Sequence, residues 1–310
     1  MTDGVIVFAY HSMGVMGLRA LLDSKVNIHL VVTHRDNPKE NIWFDSVARL
    51  CDEWHLRFVY SEDFSPGEVA VLIRRYEISV IFSFYYRNIL PESILNQARY
   101  GAVNLHGSLL PKYRGRVPVN WQIINGETTG GITLHYMPAK PDNGDIIDQA
   151  EVPIAFSDTP LTLFARLERA GKKILARSLK GILDGTCKRV PQVDSLATYY
   201  GGRGPDDGRI AWVWSSEKIY NLIRGVTKPY PGAFSYIEKE MIIIWKSSIK
   251  TTSHFVSGIA PGTLVTDGTD VLVRTGDGHI QLEEIQFKGA DYVDVSSISL
   301  FKSGKRFARD

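Results

Sequence analysis

The stretch VIVFAYHSMGVMGLRALL, Val5 to Leu22, decides how the chain begins to fold. Val5 to Tyr10 is a compact apolar run, His11 to Gly17 supplies a flexible turn, and Leu18 to Leu22 begins a helical pattern. That order is a βα opening. Further short apolar runs follow at Ile28 to Val32 and Ser79 to Phe84, with amphipathic stretches between them at Phe44 to Trp54 and Val69 to Tyr76. Alternation of this kind predicts an α/β fold with a mostly parallel sheet flanked by helices. More strands are expected at Ala102 to Leu105, Ile132 to Met137 and Ile146 to Val152. Asp158 and Pro160 then start a long helix, with Leu163, Leu167, Ala170 and Ile174 on one face.

The texture changes near Lys188. A polar connection containing Gly201, Gly202, Gly204, Pro205 and Gly208 leads to a helical segment at Ile219 to Ile223 and then to short β-rich runs. Those runs are Phe234 to Ile237, Met241 to Trp245, Thr263 to Val265, Val271 to Val273 and Ile280 to Leu282, punctuated by the turn signals Asp267-Gly268 and Asp277-Gly278. The expected division is a catalytic domain over 1–188, a linker over 189–205 and a small β domain over 206–310.

At 310 residues and 44% hydrophobic content the chain can build one large or two moderate cores. Lys plus Arg number 36 against 34 for Asp plus Glu, so the net charge of +2 gives no broad field for a polyanion, and no nucleic acid partner is expected. Cys51 and Cys187 have neither metal spacing nor a disulfide framework, which fits a reducing cytoplasm. No apolar run has the length of a membrane span and no signal sequence precedes the first strand, so neither a membrane partner nor export is expected. The pair Gly14 and Gly17 lacks the spaced glycine triplet of a dinucleotide loop, and no acidic residue closes the second strand. His11, His34, His106 and His135 show no HxxxH spacing, so a site without metal is expected.

The chemistry concentrates in AVNLHGSLLPKYRGRVPVNW, Ala102 to Trp121, and in KPDNGDII, Lys140 to Ile147. Asn104 and His106 sit two apart at a strand end, so both side chains leave the same face of the pleat. Asp142 adds a carboxylate. The loop between carries Lys112, Arg114 and Arg116 beside Gly107, Gly115 and two prolines, a composition suited to an anionic ligand. An amide can donate to a developing oxyanion, an unperturbed imidazole titrates near ~6.5, and a carboxylate beside it favours the imidazolium. These groups define a candidate site and not yet a reaction.

The run His106 to Pro111, the Tyr113-Arg114-Gly115 step, Pro118, Trp121, Gly126-Glu127 and Asp142-x-Gly144 together resemble the signature of formyltransferases that use 10-formyltetrahydrofolate. Within that family the chain is most similar to the formyltransferase portion of the bifunctional UDP-4-amino-4-deoxy-L-arabinose enzyme. FAYHSMG at Phe8, THRDNP at Thr33, IFSFYYR at Ile81, RGPDDG at Arg203 and PYPGAFSY at Pro229 carry that likeness. The resemblance implies a Rossmann-like domain followed by an OB-like β domain, and an N-formyltransferase with 10-formyltetrahydrofolate as co-substrate. It implies that His106 donates a proton, Asn104 stabilises the transition state and Asp142 tunes the histidine. Folate contacts map by similarity onto Asn88, Ile89, Leu90, Arg116, Pro138, Ala139, Lys140 and Pro141. Met137-Pro138 and Pro141 depart from the residues usual in the family before the Asp.

Two acceptor classes divide the family, an aminoacyl-tRNA and a nucleotide-linked amino sugar. A tRNA enzyme generally carries a basic loop after the second strand, whereas Arg35, Asp36, Lys39 and Glu40 balance here. The sugar reading is therefore preferred, with Tyr113, Arg114 and Arg203 as acceptor-side residues beside the Asp206-Asp207 turn, and His34, Asp36 and Asn37 closing over the acceptor. UDP-4-amino-4-deoxy-L-arabinose is the expected substrate. Another UDP- or dTDP-linked 4-amino sugar, a methionyl-tRNA, a non-catalytic folate- or nucleotide-binding regulator and a formate-releasing hydrolase are the alternatives, and a homo-oligomer is compatible with the sequence.

Overall fold

The computed structural model describes residues 4–250, 258–267, 270–289, 292–293, 301 and 304–308. The chain divides into two compact units, one of residues 1–118, 129–153 and 164–201, the other of 119–128, 154–163 and 202–310.

The first unit is built on strands β1 (Gly4–Ala9), β2 (Asn27–Thr33), β3 (Phe58–Tyr60), β4 (Val80–Phe84) and β5 (Ala102–His106). Helices α1 (His11–Asp23), α2 (Val47–Glu53), α3 (Pro66–Arg75) and α4 (Glu92–Leu95) alternate with them. After β5 come the two-residue β6 (Arg114–Gly115), α5 (Pro118–Ile124), β7 (Thr129–Tyr136), β8 (Ile146–Pro153), α6 (Pro160–Leu183) and β9 (Tyr199–Tyr200). The 7-stranded sheet runs β3-β2-β1-β4-β5-β7-β8. Pairing is parallel from β3 through β5 and antiparallel at β7 and β8. Every residue of β1 and β4 is buried, which explains why both read as unbroken apolar runs: helices cover both faces of a central parallel strand. The mostly parallel, helix-flanked sheet expected from the alternation is the one found. Strand β3 and the β6 and β9 pair were not anticipated, because two or three residues give no period to read.

Helix α1 begins at His11, so the expected flexible turn over His11 to Gly17 is absent. Gly14 and Gly17 are buried inside the helix. A Cβ on Gly17 would enter the ring of buried Phe84, and one on Gly14 would crowd Ala9 and Val47. The glycines permit close helix-to-sheet packing, not a bend. Leu167 and Ile174 of α6 are fully buried as their spacing predicted, and Gly171 lies over Leu105 and Ile132.

The second unit contains α7 (Ser216–Val226), β10 (Ala233–Ile237), β11 (Glu240–Lys250), β12 (Leu264–Asp267), β13 (Asp270–Arg274), β14 (His279–Phe287) and β15 (Tyr292–Val293). Its antiparallel sheet runs β10-β11-β14-β13-β12, with β15 on β14. Ile219, Leu222 and Ile223 of α7 share a core with Ile242, Ile244, Ile280 and Ile285. The expected Asp277-Gly278 turn is present, closed by Thr275 N–H donating to Gly278 O at 2.9 Å, whereas Gly268 of the other turn signal lies outside the described residues.

Two short segments join this unit from far upstream. Asn120 Nδ2 donates to Gly225 O at 2.9 Å, Tyr220 OH to Phe156 O at 3.0 Å, and buried Arg224 to Asp158 O at 3.0 Å. A contiguous division of the chain does not anticipate them, since periodicity reports which face of an element is apolar and not what covers it. Among the described residues no helix is long and apolar enough to cross a membrane.

Gly17→Ala is expected to lower stability. The gain in helix propensity is about 1 kcal/mol, while overpacking a closed core costs about 1–3 kcal/mol. The urea midpoint should fall with an unchanged slope.

Candidate active site

Directly paired strand residues share a face, and here the pairs Ser83 with Asn104, Asn104 with His135, His106 with Thr133, and Thr133 with Gln149 draw one polar stripe across an apolar sheet. Val103, Leu105 and Leu134 point the other way into the core. Buried polar groups of this kind must find partners. Thr133 Oγ1 donates to Ser108 O at 2.6 Å and accepts from Leu110 N at 3.1 Å, and Gln149 Nε2 donates to Leu110 O at 2.9 Å. The stripe therefore holds the loop after β5 down over itself.

The loop in turn orients His106. Its Nε2 lies 2.8 Å from Tyr113 O, and a carbonyl only accepts, so Nε2 carries a proton. The other nitrogen, Nδ1, faces Asp142 Oδ1 at 3.4 Å. Asp142 Oδ2 accepts from Gly115 N at 2.9 Å. Asp142 and Tyr113 both have left-handed backbones, at φ 55 and 60, and Gly115 has φ 101. For a non-glycine residue that region costs on the order of 1–2 kcal/mol, so neighbours must hold it in place. Gly115 and Gly144 have to be glycine: a Cβ on either would meet the carbonyl of Tyr200 or Tyr136 respectively.

Asn104 is fixed by a residue the sequence reading did not select. His135 Nδ1 lies 2.8 Å from Tyr136 O and so donates; Nε2 of the neutral ring is left to accept from Asn104 Nδ2 at 3.1 Å. One amide hydrogen of Asn104 is thereby committed and the other remains directional. Burial pushes His135 down to about 4, against the pull of Asp142, whose Oδ1 lies 3.7 Å away, and with the nearby His106 pushing the same way as burial. A neutral ring is the form that can accept. Asn104, His135, Asp142 and His106 thus form one connected set. The signal for His135 was present: Thr133-Leu134-His135 repeats the polar, apolar, polar alternation of Asn104-Leu105-His106.

The remaining expected site residues separate into groups. Asn88 and Ile89 are exposed, Ile89 at 76%, and follow β4; Pro138, Ala139, Lys140 and Pro141 are exposed in the turn before Asp142. Arg116 is exposed, and its backbone N–H is spent on Tyr200 O. The side chain of Leu90 is 3% exposed and packs in the core with Ile6 and Ile94, so a folate contact at this position falls to its backbone. Met137 and Tyr86 pack on that same core, so the two expected folate segments flank one cluster. Arg114, expected on the acceptor side, is turned inward. Its side chain is fully buried, and its donors are engaged by Gln192, Asp194 and Tyr199. Tyr113 is buried and stacked on Tyr200 with ring centroids 4.8 Å apart. Arg203 belongs to the second unit, over Trp121 at 4.5 Å and bonded to Asp207 O at 2.6 Å.

Comparison with known proteins identifies the family. Residues 5–179 match the family described as formyl transferase, and residues 204–300 match the formyl transferase C-terminal domain. The chain belongs to the formyl transferase family. The sequence-based expectation of a formyl-transferring enzyme is met by that membership. Among solved structures, an N-formyltransferase from Helicobacter canadensis in complex with folinic acid and dTDP-3-aminofucose is 22% identical. It covers 91% of this chain and 99% of its own, with a TM-score of 0.70. WlaRD, a sugar 3N-formyl transferase solved with dTDP and 5-N-formyl-THF, is 20% identical over 94% of this chain and 100% of its own, with a TM-score of 0.69. A sugar N-formyltransferase from a Shewanella species is 18% identical over 81% and 100%, with a TM-score of 0.64. The formyltransferase fold is common to all of them.

Neutral His135 makes stability depend on pH. Its folded value of about 4 lies below the ordinary 6.5, so the unfolded chain binds the extra proton first and stability falls as pH drops from 6.5 towards 4. Urea midpoints measured across that range should fall less steeply for His135→Gln than for the wild type.

Proposed function

We propose that this formyltransferase moves the formyl group of 10-formyltetrahydrofolate onto the amine of a nucleotide-linked amino sugar, UDP-4-amino-4-deoxy-L-arabinose above others. The observation that carries the reading is the connected set of Asn104, His135, Asp142 and His106 at the end of β5. The acceptor nitrogen bonds to the formyl carbon, the carbon to N10 bond breaks, N10 gains a proton and the acceptor nitrogen loses one. The second amide hydrogen of Asn104 donates to the oxygen that gains charge. With Nε2 of His106 tied to Tyr113 O, the proton that moves is the one on Nδ1, and Asp142 steadies the ring while it is charged.

The folate donor supplies an activated formyl carbon and a pterin ring with an amide-like edge. Residues here suit such a ring: Ile89 offers an exposed apolar face, and Asn143 Oδ1 is a buried acceptor with no hydrogen-bond partner among the described residues. Asn88, Ile89, Arg116 and the turn of Pro138, Ala139, Lys140 and Pro141 are the proposed folate contacts. A small acceptor is supported by the loop after β2, whose charged side chains are engaged by neighbouring segments. Arg35 pairs with Asp63 at 3.1 Å, Arg87 holds Glu40 at 2.9 Å, and Tyr10 OH donates to Asp36 at 2.9 Å. Little positive charge is left there for a tRNA backbone. The dTDP-3-aminofucose bound by the Helicobacter relative and the dTDP bound by WlaRD favour the same class, and the THRDNP, RGPDDG and PYPGAFSY segments favour the UDP-linked arabinose.

Incubation with 10-formyltetrahydrofolate and a panel of UDP- and dTDP-linked amino sugars, read by mass spectrometry, should show formylation of UDP-4-amino-4-deoxy-L-arabinose ahead of the rest. Asn104→Ala should lose about 10²- to 10³-fold in rate and His106→Ala about 10²- to 10⁴-fold. Near wild-type turnover by His106→Ala, or formylation of methionyl-tRNA alone, would sink the proposal.

A further inference from the structure

Gln192 lies in the segment between α6 and β9, outside every motif of the sequence, yet all four of its amide hydrogen bonds go to the two loops that frame His106. Its Oε1 accepts from Arg114 Nε at 3.0 Å and from Arg114 Nη2 at 2.7 Å. Its Nε2 donates to Asp142 O at 2.9 Å and to Gly144 O at 2.7 Å. A carboxamide has two donors and an oxygen with two lone pairs, so this side chain is saturated.

The two ends of that bridge matter because of what sits beside them. Arg114 is flanked by Tyr113, whose carbonyl takes the Nε2 proton of His106, and by Gly115, whose N–H holds the Asp142 carboxylate. Asp142 itself has a left-handed backbone, a region that Asp tolerates better than most residues but that neighbours must still hold in place. Neighbouring residues of the same segment lock the first loop as well: Tyr113 N donates to Thr198 Oγ1 at 2.8 Å, and Arg114 N to Thr198 O at 2.9 Å. Gln192 joins both loops through one side chain, with hydrogen bonds to Arg114 on one side and to the Asp142 turn on the other.

We infer that Gln192 is a positioning residue for the Asp142 carboxylate: its amide ties the buried Arg114 guanidinium to the backbone of the Asp142 turn and so sets the carboxylate against His106 Nδ1. The kinetic consequence rests on the proposed formyl transfer; the structural consequence does not. A displacement of reacting groups by about 1 Å can cost about 10²-fold in rate, so a side chain that never touches substrate can still govern turnover.

Two substitutions separate this role from simple bracing. Gln192→Ala removes the whole bridge. Gln192→Glu keeps an acceptor for Arg114 but loses the amide donor and sets a carboxylate against two carbonyls. Both variants should lower kcat about 10- to 100-fold with the acceptor KM changed by no more than about threefold. The Gln192→Ala, Asp142→Asn double variant should be no slower than Asp142→Asn alone, since residues acting as a unit are not additive. At constant pH without substrate, the imidazole 15N shifts of His106 should move in Gln192→Glu in the direction they move in Asp142→Asn. Thermal melts of both variants report folding, and Gln192→Glu is read if Gln192→Ala does not fold. Wild-type kcat and unmoved His106 shifts in Gln192→Glu, or losses that multiply in the double variant, would overturn the inference. Should the wild type formylate no amino sugar, the reaction assignment fails while the 15N shifts still decide the role of Gln192.

Discussion

A carboxylate placed on a left-handed turn and aimed at an imidazole is the constraint on which the site depends. Asp142 reaches His106 only because Gly115 N–H grips one of its oxygens while the other faces Nδ1 at 3.4 Å. Neither partner comes from a neighbouring position in the chain. The loop that supplies Gly115 is shaped by Thr133 and Gln149 from below and by Thr198 and Tyr200 alongside, so the carboxylate inherits its position from several separate segments. Exposed loops alone would not hold charges at such distances, because ordering them opposes their conformational entropy.

A polar stripe across an otherwise apolar parallel sheet is an expensive arrangement, and its members divide the work. A buried polar atom without a partner costs about 1–3 kcal/mol, so Thr133 and Gln149 satisfy loop backbone while Asn104 and His135 satisfy each other. The hydrogen bond from Asn104 to His135 also has a chemical consequence. A neutral buried imidazole that must donate to Tyr136 O can only accept at its other nitrogen, so the amide presents its N–H side and not its oxygen. The direction of the expected oxyanion donor is thereby set by a histidine on the neighbouring strand β7. Arg114 follows the same logic at larger scale: a wholly buried guanidinium is tolerable because Gln192, Asp194 and Tyr199 take its donors.

Much of the first unit was legible from pattern. Unbroken apolar runs marked β1 and β4 because both faces of those strands are covered, and the spacing of Leu163, Leu167 and Ile174 marked the buried face of α6. Gly14 and Gly17 misled for a physical reason. A glycine signals either backbone freedom or lack of a side chain, and only the neighbouring Phe84 ring shows that the second applies. Leu90 and Arg114 show the same ambiguity, since an apolar or basic residue in a signature can serve the core or the ligand with equal chemical fitness, and only packing shows that both side chains are buried. The upstream segments 119–128 and 154–163 were invisible as parts of the second unit because their attachment to α7 is a long-range matter of a few hydrogen bonds.

The sequence by itself determined the βα alternation, the shared strand face of Asn104 and His106, and the presence of an amide, an imidazole and a carboxylate in two nearby motifs. These follow from periods of 2 and 3.6 residues and from side-chain chemistry, both of which are local. Only the tertiary structure decided that His135 orients Asn104, that Arg114 is a brace, and that Gln192 spans from Arg114 to the Asp142 turn. The reason is that a hydrogen-bond partner more than a turn or a strand away leaves no periodic trace, and which polar groups meet is settled by how the sheet and its loops pack.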